Sequence, residues 1–450
     1  MDLEGFAKRK LREGEKEEAI IAEMGSRIME IKRNRILKED AEAISSAILE
    51  EAKRTIDLKD ELLTEIKSGV RMGELGVGSR GSGDFYAHEK IGELIGVTGA
   101  VVDSSSLSDS GVVRFPGAGK EAGKEKFVVV TVDGMHSRLS DFPFLAGFHV
   151  ARAALRDVYV MGATPVALFS DIHVADDGDV AKIFDHVAGI SAVSDAAGVP
   201  LVTGSTLRIG GDVVIGERMT GCVGAVGVAD AVVSREGAKE GDVILMTEGA
   251  GGGTISTAAL YYGEYEVVKE TMNVKFLKAC NALIEEDMVK RVHVMTDVTN
   301  GGIRGDANEI AKVAAVKLVF YEDRIRGLVN AKVLGMLERH AIDYLGVSLD
   351  ALLVICPGEV AAEVQEVVKS AGAKIEEIGR VERGRGAEIE VDGEKKEFVP
   401  KFREAAYTPV KKVVGESVSA GDDFEDMKRK VDKAVEEAIH KRNRVKEMLG

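Results

Sequence analysis

Carboxylates that lie near apolar runs are the residues of this sequence with the clearest chemical use. Asp133 follows one strand-like apolar run and enters a glycine-containing loop. Asp157 lies in a stretch with helical spacing, from about 144 to 161, and Asp171 lies near the end of another apolar run. Magnesium prefers oxygen ligands and keeps waters and phosphates in its shell. We therefore predict that the three carboxylates converge at one edge of a sheet, while a turn-forming role for Asp133 stays open.

A second candidate is the string DVTNGGIRGD, residues 297–306. Asp297 follows a predicted strand, and the pair Gly301 and Gly302 opens the next predicted helix. Backbone N–H groups at the start of a helix bind anions, so the string predicts a phosphate contact. A plain helix-capping loop is the alternative.

Motifs of other chemistries are missing from the sequence. Neither glycine-rich segment, 76–84 or 248–254, matches GxxxxGK[ST], and neither sits as a strict GxGxxG in a dinucleotide-binding unit. Those two modes of nucleotide binding are therefore not predicted. The sequence has no GxSxG elbow and no HExxH pair. His173, two residues after Asp171, is a candidate phosphate or metal ligand, with a structural role as the alternative.

Composition narrows the class of protein. The formal net charge of -16 disfavours nucleic-acid binding unless basic residues are segregated on one face, and Lys and Arg are scattered among acids instead. Three distant cysteines predict neither a disulfide framework nor a zinc ribbon. No apolar run approaches the roughly 20 residues of a membrane span. We expect a cytoplasmic protein without nucleic-acid or membrane partners.

Periodicity divides the chain into four parts. Residues 1–72 predict an amphipathic helical extension, and residues 73–232 alternate strand-like and helical runs. Residues 233–400 begin with a strand and a glycine-rich turn into a helix, and residues 401–450 form a charged helical tail. The alternation predicts a layered α/β or α+β fold with two domains.

Six strings, taken in order, resemble one known superfamily. They are DSGVV (109–113), VVVTVDGMH (128–136), FPFLAGFHVARAALRDVYVMGATPVAL (142–168), GVPLVTGSTL (198–207), REGAKEGDVILMTEGAGGGT (235–254) and MTDVTNGGIRGD (295–306). Their order and spacing resemble those of the superfamily that contains aminoimidazole ribonucleotide synthetase, thiamine-monophosphate kinase, selenophosphate synthetase and the hydrogenase-maturation dehydratase. The resemblance covers roughly 73–399 and is nearest to a little-characterised archaeal branch.

The resemblance implies a PurM-like two-domain fold. Its N-terminal domain would build a β-barrel across a homodimer interface, and its α/β C-terminal domain would pack beside it. ATP would lie in the cleft, with Mg²⁺ held by family aspartates that match Asp109, Asp133 and Asp157, and with the Asp297 loop nearby. The implied chemistry is γ-phosphoryl transfer, which needs positioning and charge neutralisation more than a protein nucleophile.

The chain departs from the family pattern at three places. Ser108 stands before Asp109 where the family commonly has paired acids. Arg156 precedes Asp157 where the family often has Asn. In the string 203–206 a serine, Ser205, takes the place of an acid, and its neighbours Gly204 and Thr206 match nucleotide-contacting positions.

The segment GVGSRGSGDFYAHEKIG, residues 76–92, resembles only the archaeal branch. We expect it to fold over the nucleotide or the acceptor, with Arg80 and Lys90 facing phosphate oxygens and Asp84 and His88 beside them. A solvated linker is the alternative.

The leading hypothesis is an ATP- and magnesium-dependent kinase or synthetase that activates a small metabolite or cofactor precursor. A non-catalytic nucleotide-binding or regulatory partner protein is the alternative, with the terminal helices as docking surfaces for a protein partner. A ring-closing enzyme of purine synthesis is disfavoured, because TVDGMHSR lacks the final lysine of a GVDGVGTK-like motif.

Overall fold

A computed structural model describes residues 1–33, 35–78, 81–115, 125–299, 301–402, 404, 406–416 and 422–449. Its N-terminal extension is a three-helix unit with an apolar cluster of its own. The helices are α1 (Leu3–Arg12), α2 (Glu17–Lys32) and α3 (Lys38–Thr55). Ile215 of the following domain joins this cluster, and Lys32 pairs with Asp176 and Asp177. The extension is therefore packed against the rest of the chain.

The first domain contains one sheet covered by two long helices. Its elements are α4 (Met72–Leu75), α5 (Ser82–Ile95), β1 (Gly111–Arg114), β2 (Phe127–Gly134), α6 (Pro143–Tyr159), β3 (Thr164–Val174), α7 (Ala181–Ala197), β4 (Leu201–Arg208) and β5 (Met219–Ala229). The strand order is β1-β2-β5-β3-β4, and only β3 and β4 pair in parallel. This five-stranded sheet is open in the single chain.

Close crossing of α6 and α7 covers one face of that sheet. A Cβ at Gly147 would lie 2.0 Å from the carbonyl oxygen of His186, and one at Gly189 would lie 2.1 Å from that of Phe144. Only glycine permits this approach, because a larger residue would force the backbones apart. The crossing lets α6 reach the sheet with its buried face, which includes Leu155.

The second domain is a seven-stranded mixed sheet with helices around it. Its elements are β6 (Asp242–Thr247), α8 (Gly253–Tyr262), α9 (Tyr265–Thr271), α10 (Lys275–Glu285), β7 (Val294–Asp297), α11 (Gly302–Ala314), β8 (Lys317–Tyr321), α12 (Glu322–Leu328), α13 (Ala331–Arg339), β9 (Leu352–Pro357), α14 (Gly358–Ser370), β10 (Ile375–Glu382), β11 (Gly386–Val391) and β12 (Glu394–Glu397). The strand order is β12-β11-β8-β10-β6-β9-β7.

The C-terminal tail returns to the first domain. It contains α15 (Pro409–Glu416) and the 28-residue helix α16 (Asp422–Leu449). On α5, Tyr86 donates to Asp432 and Lys90 pairs with the same carboxylate at 2.9 Å. Phe424 packs edge-on against Phe402 with ring centroids 4.9 Å apart. The tail thus holds α5 in place.

Some expectations differ from the structure in detail. The runs 100–102 and 213–215 form isolated bridges rather than strands, because each pairs with a neighbour at one residue only. The loop expected at 73–84 contains most of α4 and the first turn of α5, and Asp84 is fully buried. The described residues of this segment therefore do not form a solvated linker. The expected barrel is not closed within the described residues of one chain. In the same part of the chain, no helix has the length and apolar character required to span a bilayer.

Candidate functional site

A cavity of about 730 Å³ lies between the two domains. Its wall takes residues from α5, the end of β2, α6, the start of α8, the loop after β7 and the tail. The volume is within the roughly 300–1,000 Å³ typical of small-molecule sites. Parts that are distant in sequence therefore meet at one ligand-sized space.

The four aspartates predicted to lie at the metal and phosphate site line this cavity: Asp109, Asp133, Asp157 and Asp297. Asp133 is the penultimate residue of β2, and Asp157 lies in the last turn of α6. Thr131, on the same side of β2 as Asp133, donates to the Asp157 carboxylate at 3.3 Å. Asp297 ends β7, and only 1% of it is exposed. The strand ends and α6 bring these carboxylates together across the domain boundary.

Three buried arginines hold the carboxylates. Arg156 contacts Asp297 and lies 2.6 Å from Asp350 on the loop before β9. Arg152, one turn earlier on α6, lies 2.8 Å from the other Asp350 oxygen. A buried guanidinium needs such partners because removing its hydration is costly.

The third arginine, Arg235, anchors Asp109. It donates to Asp109 Oδ1 at 2.7 Å, and Thr296 donates to Oδ2 at 2.8 Å. The same guanidinium contacts Asp306 and Glu309 on α11. Both Asp109 oxygens are thus engaged by side chains that follow the first domain in sequence.

We refer to ten residues as the acid–arginine cluster: Asp109, Asp133, Asp157, Asp297, Asp306, Glu309, Asp350, Arg152, Arg156 and Arg235. Its seven carboxylates exceed its three guanidinium groups by four. Burial, followed by the negative charge of Asp297, raises the pKa of Asp157 well above its usual range. Burial also raises the pKa of Asp297 to about 7, against the opposing charge of Arg156. The cluster is therefore short of positive charge.

Two histidines lie beside the cluster. Burial, with the nearby charges of Lys411 and Arg156, lowers the pKa of His136 to about 4. Burial also lowers the pKa of His149 well below its usual value, and its Nε2 lies 2.7 Å from the Ser256 hydroxyl. Both rings are neutral at pH 7, so they add no charge to the cavity.

The cavity has a second, positively charged end. Arg138 follows β2 in a short 3-10 helix, and Lys411 lies on α15. The Lys411 ammonium lies 4.2 Å from the ring centroid of buried Tyr407, which also lines the wall. The two ends of the cavity thus carry opposite charge.

The 76–92 segment contributes to the wall through α5. Asp84 and His88 line the cavity, and Asp84 Oδ1 accepts from the Gly78 N–H at 2.9 Å. Lys90 is on the face of α5 turned to α16, where it pairs with Glu93 and Asp432. Arg80 lies outside the described residues.

Other candidate residues lie away from the cavity. Asp171 and His173 bond to each other at 2.9 Å on β3, on the face opposite buried Ile172. The predicted convergence of Asp171 with Asp133 and Asp157 is wrong, because the alternation of β3 turns Asp171 away from the cavity wall.

Three glycines and a threonine also lie elsewhere. Gly204 and Thr206 are on the edge strand β4 and are absent from the cavity wall of one chain. Gly301 caps α11, and Gly302 has φ +61° with its Cα against the Leu345 carbonyl. Close packing explains the glycine at position 302, since a Cβ there would lie 2.2 Å from that oxygen.

No three His, Cys, Asp or Glu side chains within the described ranges form a ready-made metal site. Arginines occupy oxygens of Asp109 and Asp297. The oxygen chemistry still fits Mg²⁺, which proteins commonly hold through one or two carboxylates together with substrate phosphates.

Sequence reasoning missed the arginines and the tail. Arg152 and Arg156 are one turn apart on a largely apolar helix, and that spacing was an available signal because buried charges require partners. Nothing in the local sequence linked Lys411 to a site built mainly from the two preceding domains.

The cluster predicts a large effect of Asp350→Asn. Asparagine keeps the side-chain shape and tolerates the positive φ of +54° at this position, so the variant removes mainly charge. Arg152 and Arg156 would lose a shared partner, and we expect a loss of about 3–5 kcal/mol in the free energy of unfolding by urea. Glu266→Gln, in the exposed pair with Lys269, should cost less than about 1 kcal/mol. An Asp350→Asn loss equal to that of the control would contradict the role of the cluster.

Comparison with known proteins gives matches over both domains. Residues 107–229 match the sequence profile "AIR synthase related protein, N-terminal domain", and residues 239–392 match "AIR synthase related protein, C-terminal domain". An uncharacterized protein of Methanocaldococcus jannaschii is 52% identical over 100% of this chain and 98% of its own length.

More distant relatives have named activities. The thiamine-monophosphate kinase of Archaeoglobus fulgidus is 27% identical, over 71% of this chain and 98% of its own length. The hydrogenase maturation protein HypE, crystallised in complex with ATP, superposes with a TM-score of 0.52 at 20% identity, over 61% of this chain and 85% of that one. The superposition shows a shared PurM-like fold. From the profile matches, the fold and the relative that matches end to end, the chain belongs to the AIR synthase related family.

Proposed function

We propose that this chain binds ATP with Mg²⁺ in the interdomain cavity and transfers the γ-phosphoryl group to a small metabolite or cofactor precursor, as a kinase or synthetase. The observation that carries the proposal is the set of four aspartates in one cavity of nucleotide size. The HypE structure with ATP and the thiamine-monophosphate kinase relative support the same chemistry.

Within this proposal the residues divide into two roles. Asp133 and Asp157 would hold the metal, since both carboxylates line the cavity and the Asp157 carboxylate lies 3.6 Å from Arg156, beyond hydrogen-bond distance. Asp109 and Asp297 would shape the site from positions fixed by Arg235 and Arg156. Bound Mg²⁺ would offset the carboxylate excess and neutralise charge on the phosphates.

The cavity composition also agrees with transfer by positioning. No protein nucleophile is required for phosphoryl transfer, because orientation and charge neutralisation supply most of the rate. The lowered pKa values keep His136 and His149 neutral, so neither ring repels a metal ion or attracts an anion. We assign them to the wall rather than to proton transfer.

Binding of ATP tests the proposal directly. Calorimetry with wild type should show ATP binding that requires Mg²⁺, and Asp133→Asn should weaken it by at least tenfold because one of the proposed ligands loses its charge. Asp230→Asn, an exposed carboxylate paired with Lys126 in the same domain, is the matched control and should bind as wild type does.

Turnover then separates the enzyme from its alternative. Phosphate or ADP release across a panel of small metabolites should identify an acceptor. Mg²⁺-dependent binding without turnover on any acceptor would favour a non-catalytic partner protein, an alternative that the serines at positions 108 and 205 support. If ATP binds neither with nor without Mg²⁺, both the enzyme and the nucleotide-binding partner protein are refuted.

We also propose that two copies join through the open face of the five-stranded sheet. The face opposite α6 and α7 exposes apolar side chains, among them Val130 and Val132 of β2 and Leu207 of β4. An apolar sheet face of this kind favours burial against another apolar surface.

The molar mass in solution tests the dimer. Light scattering after size-exclusion chromatography should give twice the mass of one chain for wild type. Val132→Lys should lower the measured mass toward that of one chain, because a charge would be buried at the interface. Val180→Lys, at an equally exposed valine outside the sheet, should remain dimeric. A wild-type protein with the mass of one chain would contradict the proposal.

A further inference from the structure

We propose that Arg138 and Lys411 form an oxyanion site at the positive end of the cavity, and that it binds the phosphate or carboxylate group of the acceptor. This inference rests on the proposed phosphoryl transfer, because an acceptor has to lie in the same cavity as the nucleotide. The site unites the first domain with the tail, which the resemblance did not include.

Lys411 is held in place by its own segment. Thr408, only 1% exposed, accepts from the Lys411 N–H through its hydroxyl oxygen at 3.2 Å and so caps the start of α15. The ammonium lies over the ring of Tyr407, which is 3% exposed. The next residue, Lys412, points elsewhere and donates to the carbonyl of His340. The Lys411 charge is therefore directed to the cavity by packing on both sides.

The Lys411 charge has no carboxylate partner in the part of the chain that the structure describes. Ion pairing raises the pKa of a lysine, as it does for Lys332 beside Glu270. Here burial, followed by the nearby charge of Arg138, lowers the pKa of Lys411 to about 8. A half-buried ammonium with a cationic neighbour is costly unless an anion joins it.

Arg138 supplies the second donor. Its guanidinium lies 4.1 Å from the ring centroid of Tyr261, and the Tyr261 hydroxyl donates to the Arg138 carbonyl at 2.9 Å. The side chain is thereby fixed, and it too forms no ion pair among the described residues. A planar guanidinium beside an ammonium fits the oxygens of phosphate or carboxylate.

The other cavity arginines are unavailable for such a ligand. Arg152, Arg156 and Arg235 are already paired with carboxylates of the acid–arginine cluster. A nucleotide triphosphate carries its own Mg²⁺ and is served by the acidic end. The two unpaired cations at the opposite end therefore suit a second anion, which is that of the acceptor.

The origin of Lys411 agrees with a role in acceptor choice. Its segment follows the second domain, after the last residue that matches the family profile. The seven carboxylates of the acid–arginine cluster all lie within the profile-matched domains. A cation that comes from the tail can distinguish this chain without altering the nucleotide end.

The test uses inorganic phosphate and Mg²⁺·AMP-PNP as separate probes of the full chain. Phosphate binding is followed by ³¹P line broadening without nucleotide, and AMP-PNP binding by calorimetry with Mg²⁺. The variants are Lys411→Met, which keeps the length of the side chain, Arg138→Gln, and the control Lys412→Met. We expect wild type and Lys412→Met to bind phosphate alike and the other two to bind at least about tenfold more weakly. All four should bind Mg²⁺·AMP-PNP alike.

Three results would overturn the inference. If wild type binds no phosphate, the site is excluded. It is also excluded if both Lys411→Met and Arg138→Gln bind phosphate as tightly as wild type does. Parallel loss of phosphate and Mg²⁺·AMP-PNP would assign the two cations to the nucleotide. If Lys411→Met does not fold by circular dichroism, Arg138→Gln decides alone. Lys411-dependent phosphate binding without any AMP-PNP binding would instead refute the proposed function and leave an anion site.

Discussion

The structure depends on the pairing of buried arginines with carboxylates across the domain boundary. Arg156 belongs to the first domain, whereas its partners Asp297 and Asp350 belong to the second. Arg235 makes the reciprocal connection from the start of the second domain to Asp109. None of these groups can remain buried and charged alone, so the two domains have to meet at this place. The cavity is the space left beside that contact.

This constraint also determines the electrostatics of the site. The arginines orient some of the carboxylates but leave others uncompensated. Burial, followed by the negative charge of Asp297, raises the pKa of Asp157. A fully neutralised cluster would not attract a cation, whereas a cluster without arginines would repel a bound triphosphate. The arrangement therefore suits a ligand that brings both metal and phosphate.

Sequence predicted the parts of the site that local patterns encode. Asp133 and Asp297 follow apolar strands, and Asp157 lies on a helix with an apolar face, so their placement could be inferred. The direction of the Asp171 side chain could not be inferred from the sequence. Which face of the sheet borders the cavity becomes clear only when the register of β3 against β5 is known. The fold could be assigned from the order of motifs, whereas the return of the tail to the cavity depends on packing between distant segments.

The two ends of the chain give this molecule features beyond the family domains. Helix α5 covers one side of the cavity with Asp84 and His88, and α16 clamps α5 from outside through Asp432. The tail adds Tyr407 and Lys411 on the other side. Helix α5 and the tail thus complete the cavity wall together with the two family domains.

In the proposed function, the acidic end of the cavity binds a divalent cation together with the phosphates of a nucleotide. The most direct measurement is an anomalous difference map from crystals grown with Mn²⁺ and AMP-PNP. We expect a manganese peak within coordination distance of both Asp133 and Asp157, with phosphate oxygens completing the shell. A nucleotide bound with its metal away from these two carboxylates, or a manganese peak elsewhere with none in the cavity, would contradict it.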